Sequence, residues 1–239
     1  MKKDIMGILI DDVTKEQALE RLSSYLASPG KMTVFTPNSE ICMMALRNRE
    51  LMEILNRGSL VLPDGQGVVL ASKILKSPLR EKVGGCDLFL SFFRICSPVR
   101  VFLLGGKPET SERAGQALER DYPNVTVTGT MHGYFPPEAL PDVLRAINAS
   151  GSHLLLVGFG APKQEEWIHR NLPSLDVRVA AGVGGTLDIL AGTARMAPAI
   201  FVRLGLEWFY RLLKQPRRLK RMLKIPLFLF LCLRRRFRK

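Results

Sequence analysis

Residues 154–166, LLLVGFGAPKQEE, decide the fold. Leu154 to Val157 is an unbroken apolar run of the kind found in a strand buried on both faces. It stops at a turn holding Gly158 and Gly160, after which Lys163, Gln164 and Glu165 open a helix. Residues 101–110, VFLLGGKPET, repeat that strand, glycine turn and helix in a weakly similar form, one residue out of register. They read as the same solution to a strand-to-helix turn rather than as a duplication.

Working outward, Met32–Phe35, Leu60–Leu62, Val125–Thr128 and Val177–Ala180 complete a set of six short strands. Helical patterns lie between them. Thr14 and Gln17 have capping-box spacing ahead of a helix that ends near Ser28. Ser39 to Asn56 carries Ile41, Met44, Ala45 and Leu55 on one face, and Pro137 with Glu138 opens a helix to about Ser150. The alternation predicts an α/β protein: a Rossmann-like, mostly parallel sheet with helices on both faces.

Composition divides the chain. Of 239 residues, 35 are Lys or Arg and 22 Asp or Glu, for a net charge of +13. Residues 203–239 hold 13 of the basic residues and one acidic residue, Glu207, so the remainder is nearly neutral with 22 and 21. At roughly 100–200 residues per domain, this predicts a catalytic domain over 1–196 and a basic, amphipathic, membrane-binding appendage over 197–239. In the appendage Leu204, Leu206, Phe209, Leu212 and Leu213 alternate with Arg203, Arg211 and Lys214 until Pro216.

The longest apolar run there, Ile225–Leu233 (IPLFLFLCL), is far short of the roughly 20 residues of a spanning helix and is expected to dip into a membrane. Acidic residues in MKKDIMGILIDD stand where a secretory leader is apolar, so secretion is not expected. Four scattered cysteines (Cys42, Cys86, Cys96, Cys232) make neither a disulfide framework nor a zinc site and suit a reducing compartment.

In open α/β sheets ligands bind beyond the carboxyl ends of the strands, and here those ends are polar. Thr36, Asn38 and Glu40 follow one strand, Asp64 another, and His132, Gly133 and Tyr134 a third; Gln164 and Gly182–Asp188 follow two more. Asp64, between Pro63 and the Gly65/Gly67 pair, is either a general base or the cap of the next helix, and the turn alone leaves both open. Gly158, Gly160, Gly184 and Gly185 lie where helix N-termini cradle phosphates, without the dinucleotide fingerprint or the Walker lysine. His132 has no metal-ligating neighbour, and no Ser/His/Asp elbow is present.

Five ordered motifs, TPNSE (36–40), LPDGQGVV (62–69), GFGAPKQEEW (158–167), GVGGTLDILAG (182–192) and GLEWFYRLLKQPRR (205–218), resemble the WecG/TagA/CpsF family of bacterial glycosyltransferases over nearly the whole chain. The resemblance implies an inverting transfer of an N-acetylhexosamine, N-acetylmannosamine first among them, from a UDP donor to undecaprenyl-diphosphate-linked N-acetylglucosamine. The work would be done peripherally, at the cytoplasmic face of the cell membrane, in making teichoic acid or another surface polymer.

The resemblance also implies site residues. Asp64 is the base and Thr36 stands beside it; Asn38, Tyr134, Gln164, Gly185 and Asp188 line the UDP-sugar pocket; Arg211, Arg218 and Arg221 of the tail meet the diphosphates. Where many relatives have Glu-Arg-Val, this chain has Glu81-Lys82-Val83. Either Lys82 acts there as a point charge or Arg80 supplies the guanidinium. No DxD-type acidic pair stands where a metal-dependent transferase would want one, since Asp11-Asp12 sits at the start of the chain before a helix, so no metal or other cofactor is expected.

Two other readings compete. RRLKR and an isoelectric point near 10 suit a nucleic-acid-binding protein, but that leaves the polar strand ends without use, and IPLFLFLCL fits lipid better, so no nucleic-acid partner is expected. A Rossmann enzyme with another nucleotide cofactor would want G-x-G-x-x-G after its first strand, which is missing. Oligomeric state stays open: the apolar Leu88–Phe93 face suits core or, in a homo-oligomer, an interface.

Overall fold

The computed structural model describes residues 1–214 and 219–237. It begins with a hairpin that the strand reading above omits, β1 (Lys2–Ile5) and β2 (Ile8–Asp11), turning at Met6 and Gly7, both at positive φ. Then come α1 (Lys15–Ala27), β3 (Met32–Phe35), α2 (Ser39–Ala45), α3 (Arg49–Asn56), β4 (Leu60–Val61), α4 (Gln66–Ile74) and α5 (Gly85–Ile95). The second half holds β5 (Val99–Gly105), α6 (Pro108–Asp121), β6 (Val125–Met131), α7 (Leu140–Ala149), β7 (Leu154–Gly158), α8 (Lys163–Asn171), β8 (Val179–Gly182) and α9 (Thr186–Leu190). The tail is α10 (Ala199–Arg203), α11 (Glu207–Lys214), α12 (Leu219–Met222) and α13 (Lys224–Phe237).

Six strands form one parallel sheet in the order β4-β3-β8-β7-β5-β6. The expected capping box is present, with Thr14 Oγ1 accepting from Gln17 N–H and Gln17 Oε1 from Thr14 N–H. Two boundaries differ from expectation. The last strand runs Val179–Gly182 rather than Val177–Ala180, because Val177 is buried by packing below the ladder rather than by pairing within it. The single helix expected over 39–56 is two, because Asn48 caps a new one by accepting from Leu51 N–H.

The helices cover two faces. α2, α3, α4, α7 and α8 pack on one, and α1, α5, α6 and α9 on the other. Helices leaving the neighbouring strands β3 and β8 therefore go to opposite faces, as do those leaving β5 and β7, and such divergence opens a crevice at the carboxyl ends. The composition break near 197 is not a break in packing. α13 returns across the sheet and lies on α2 and α4, with Phe228 and Cys232 buried in the same cluster as Ile41, Cys42, Val68 and Ala71. Pro226 sits in the first turn of α13, where its missing N–H costs nothing.

Candidate active site

Three segments are laced together beside β3 and β4. Leu62 N–H donates to Phe35 O at 2.8 Å, Asp64 N–H to Pro37 O at 3.2 Å and Val83 N–H to Pro63 O at 3.0 Å. These bonds set residues 36–38, 63–65 and 83–85 side by side. Asn38 spends its side-chain oxygen capping α2, accepting from Glu40 and Ile41 N–H at 3.0 and 3.1 Å. Its amide nitrogen is not part of that cap.

Asp64 and Thr36 meet at the start of α5. A Cβ on Gly84 would stand 3.3 Å from Asp64 Oδ1, and one on Gly85 would stand 2.9 Å from Thr36 Oγ1. Consecutive glycines thus let the positive end of an eleven-residue helix come against a carboxylate and a hydroxyl together. The N-cap position of α4 falls on Gly65, at φ 90°, rather than on Asp64. Asp64 remains half-buried at the rim.

The tail closes over this corner. Gly205 lies against Gln66, and Ile225 and Ser39 against Gly67, two and three residues past Asp64. Lys82 Nζ pairs with Glu207 of α11. Glu40, in the first turn of α2, accepts from Arg221 Nε at 2.8 and 3.0 Å and from Lys224 Nζ at 3.2 Å. Arg80 turns away, donating its backbone N–H to Asp12 at 2.8 Å with its guanidinium 3.6 Å from the same carboxylate. Between the two candidates for the Glu-Lys-Val position, Lys82 is the one that faces the tail. Arg211 lies on α11 beyond Glu207, and Arg218 lies outside the described residues.

The glycine turns after β7 and β8 form the other half of the rim. Gln164 is buried between them, its Oε1 accepting from Gly160 N–H at 3.2 Å and Gly184 N–H at 3.0 Å. Those two N–H groups, expected among the phosphate-binding amides, are taken by a side chain. Gly185 caps α9 and is exposed, with exposed Asp188 one turn on. Tyr134 is 70% exposed after β6. Five strand spacings of about 4.8 Å separate β6 from β4, so the sheet alone holds Tyr134 about 24 Å from Asp64. Its loop leans inward, Gly133 N–H donating to Gly106 O at 3.0 Å.

Two functional candidates escaped the sequence reading of roles, Glu40 and Glu207. Both had a signal: Glu40 stands within TPNSE, and Glu207 is the one acidic residue in 203–239. Among the described residues no group of three or more His, Cys, Asp or Glu side chains is placed to hold a metal ion, and no helix is long and apolar enough to cross a membrane.

An open parallel sheet with its polar turns gathered on one rim, beside a carboxylate at a helix N-terminus, is the architecture of a Rossmann-like α/β enzyme. Residues 3–239 match the Glycosyl transferase WecG/TagA/CpsF family, and the chain belongs to that family. It is 36% identical over 233 residues, 96% of its length and 91% of theirs, to proteins of Staphylococcus aureus strains MRSA252 and MW2. Each is named N-acetylglucosaminyldiphosphoundecaprenol N-acetyl-beta-D-mannosaminyltransferase.

Proposed function

We propose that this glycosyltransferase moves N-acetylmannosamine from a UDP donor to the N-acetylglucosamine of a lipid-linked diphosphate; the Staphylococcus relatives are named as N-acetylmannosaminyltransferases of N-acetylglucosaminyldiphosphoundecaprenol. The observation that carries the chemical reading is the joint approach of Asp64 and Thr36 to the Gly84-Gly85 start of α5. In one displacement the acceptor hydroxyl oxygen attacks the anomeric carbon, the bond from that carbon to the UDP oxygen breaks, and the configuration inverts. Asp64 takes the hydroxyl proton as the new bond forms. Thr36, alongside, holds the acceptor oxygen in line.

Departing UDP gains negative charge, and donors aimed at developing charge each contribute roughly 3–4 kcal/mol when well placed. Gly185 and Asp188 line the nucleotide pocket, with Tyr134 on its outer side and Asn38 presenting its amide nitrogen from the β3 turn. Lys82 and the tail cations, Arg211, Arg218 and Arg221, neutralise the diphosphates, so the reaction runs without a metal. Lys82 and Arg221 are held at this corner by Glu207 and Glu40.

The exposed apolar residues of α10 and α11, with the neighbouring cations, rest on an anionic membrane surface where the lipid-linked acceptor resides. Attachment is peripheral, at the cytoplasmic face. Turnover of purified protein with a panel of UDP sugars and a lipid-diphosphate N-acetylglucosamine analogue tests the reading. Asp64→Asn should lower kcat by about 10²–10⁴ with binding of UDP unchanged. An Asn variant as active as the parent removes Asp64 from the mechanism, and undiminished turnover in excess chelator is required of a metal-free reaction.

A further inference from the structure

Two acidic side chains are buried among the described residues, Asp11 and Glu165. Asp11 is fully employed. Its Oδ1 takes Arg21 at 2.8 Å and its Oδ2 accepts from Val61 N–H at 2.9 Å. Glu165 has no cation. Its Oε1 accepts from Gln164 Nε2 at 2.9 Å, and its Oε2 is buried with no hydrogen-bond partner among the described residues. Burial pushes its carboxyl above the usual range. What the group supplies in that place is a directed acceptor at Oε1.

That hydrogen bond acts on Gln164. Two backbone N–H groups, of Gly160 and Gly184, point at one atom of the Gln164 amide, which must therefore be the oxygen. The NH₂ end then needs an acceptor, and Glu165 Oε1 is the one it finds. The amide is wedged tightly. A Cβ on Gly182 would come within 2.8 Å of Gln164 Nε2. One planar group thereby ties the turn after β7 to the turn after β8, and the second of these carries Gly185 and Asp188.

We propose that Glu165 is a positioning residue for the donor pocket: by fixing the Gln164 amide it sets the spacing of the two glycine turns. The inference rests on the donor assignment made above for Gly185 and Asp188. It gives a use to a buried carboxyl that takes no part in proton transfer at Asp64.

The test compares Glu165→Gln, which keeps the acceptor oxygen in a neutral, isosteric group, with Glu165→Leu, which removes it at similar volume. Leu should raise KM for the UDP-sugar roughly tenfold, the scale of one buried donor left unpaired. KM for the lipid acceptor should hold and kcat stay within a few-fold, whereas Gln should match the parent. Backbone amide exchange at Gly160 and Gly184 should quicken in the Leu variant only. A Leu variant whose donor KM is unchanged overturns the proposal, as does one in which both KM values rise while kcat falls, or a Gln variant as impaired as Leu. Should the Leu variant not fold, Gln164→Met takes its place and must show the same rise in donor KM; an unchanged value overturns the proposal. If instead the parent turns over no UDP-sugar while the exchange difference is present, the donor reading is at fault and the tie between the turns stands.

Discussion

The stretch through α10 and α11 leaves Ile200, Leu204, Phe209 and Leu213 between 39% and 66% exposed; α13 exposes Leu227, Phe230 and Leu233 on one side but buries Phe228 and Cys232 completely on the other, against α2 and α4. Both stretches are Leu- and Phe-rich with Lys and Arg among them, and neither composition nor length tells them apart. The partner face does. α2 and α4 present Ile41, Cys42, Val68 and Ala71 on one side of the sheet, and α13 is what covers them. Among the described residues α10 and α11 contribute no side chain to either core cluster, and Gly205 lies on Gln66 while Glu207 pairs with Lys82. The appendage is two things: a strap with an apolar outer surface, and a late piece of the core.

The largest effect expected from this contrast is on α13. Phe228→Ala should destabilise the protein by about 3–5 kcal/mol, the usual range for emptying a buried aromatic site. Ending the chain at Leu223 should cost more than that. Denaturant midpoints measure both. Thiol labelling supplies an independent reading, because burial holds the Cys232 thiol up at about 11 and raises Cys42 as well, so both should react slowly until α13 lifts. A Phe228→Ala protein with an unshifted midpoint would dissolve the distinction between the two stretches.

A smaller effect on stability, though a large one on location, belongs to the other stretch. Replacing Ile200, Leu204, Phe209 and Leu213 together by Ser should leave the midpoint within about 0.5 kcal/mol of the parent per site. Sedimentation with anionic liposomes should fall sharply, since each large apolar side chain removed from water is worth about 1.5–3 kcal/mol. Unchanged sedimentation would place membrane contact elsewhere. The smallest effect is at the clasp. Glu40→Gln loosens Arg221 and Lys224, partly exposed ion pairs worth about 0–1 kcal/mol, and should quicken amide exchange at the start of α13 without moving the denaturant midpoint measurably.

Much of the sheet was legible because a buried parallel strand announces itself as an unbroken apolar run, and all six were located that way. What escaped depended on contacts rather than runs. The β1–β2 hairpin is too short and too charged to stand out: KKDI shows no alternation, and its turn rests on Met6 accepting positive φ. Val177 looks like strand and is buried beside one. At the site, motif order located Asp64, Thr36 and Gln164. Whether Asp64 took the N-cap position of α4, whether Lys82 or Arg80 faced the tail, and whether Gly160 and Gly184 offered free amides were settled only by neighbours distant in sequence. Within Ile225–Leu233 the burial of Phe228 and Cys232 depends on α2 and α4, which no local run reveals, while Leu227, Phe230 and Leu233 stay exposed.

The docking of α13 also bears on how the protein comes into being. α13 leaves the ribosome after every strand of the sheet, yet the helices it covers, α2 and α4, are among the first made. Its last turn reaches the opening hairpin, where Arg235 stands 3.8 Å from Asp4. Contacts so far apart in sequence form late. A growing chain therefore carries an uncovered apolar patch on one face until α13 has been made, and the corner around Asp64 and Gly67 receives Gly205 and Ile225 only after the sheet strands.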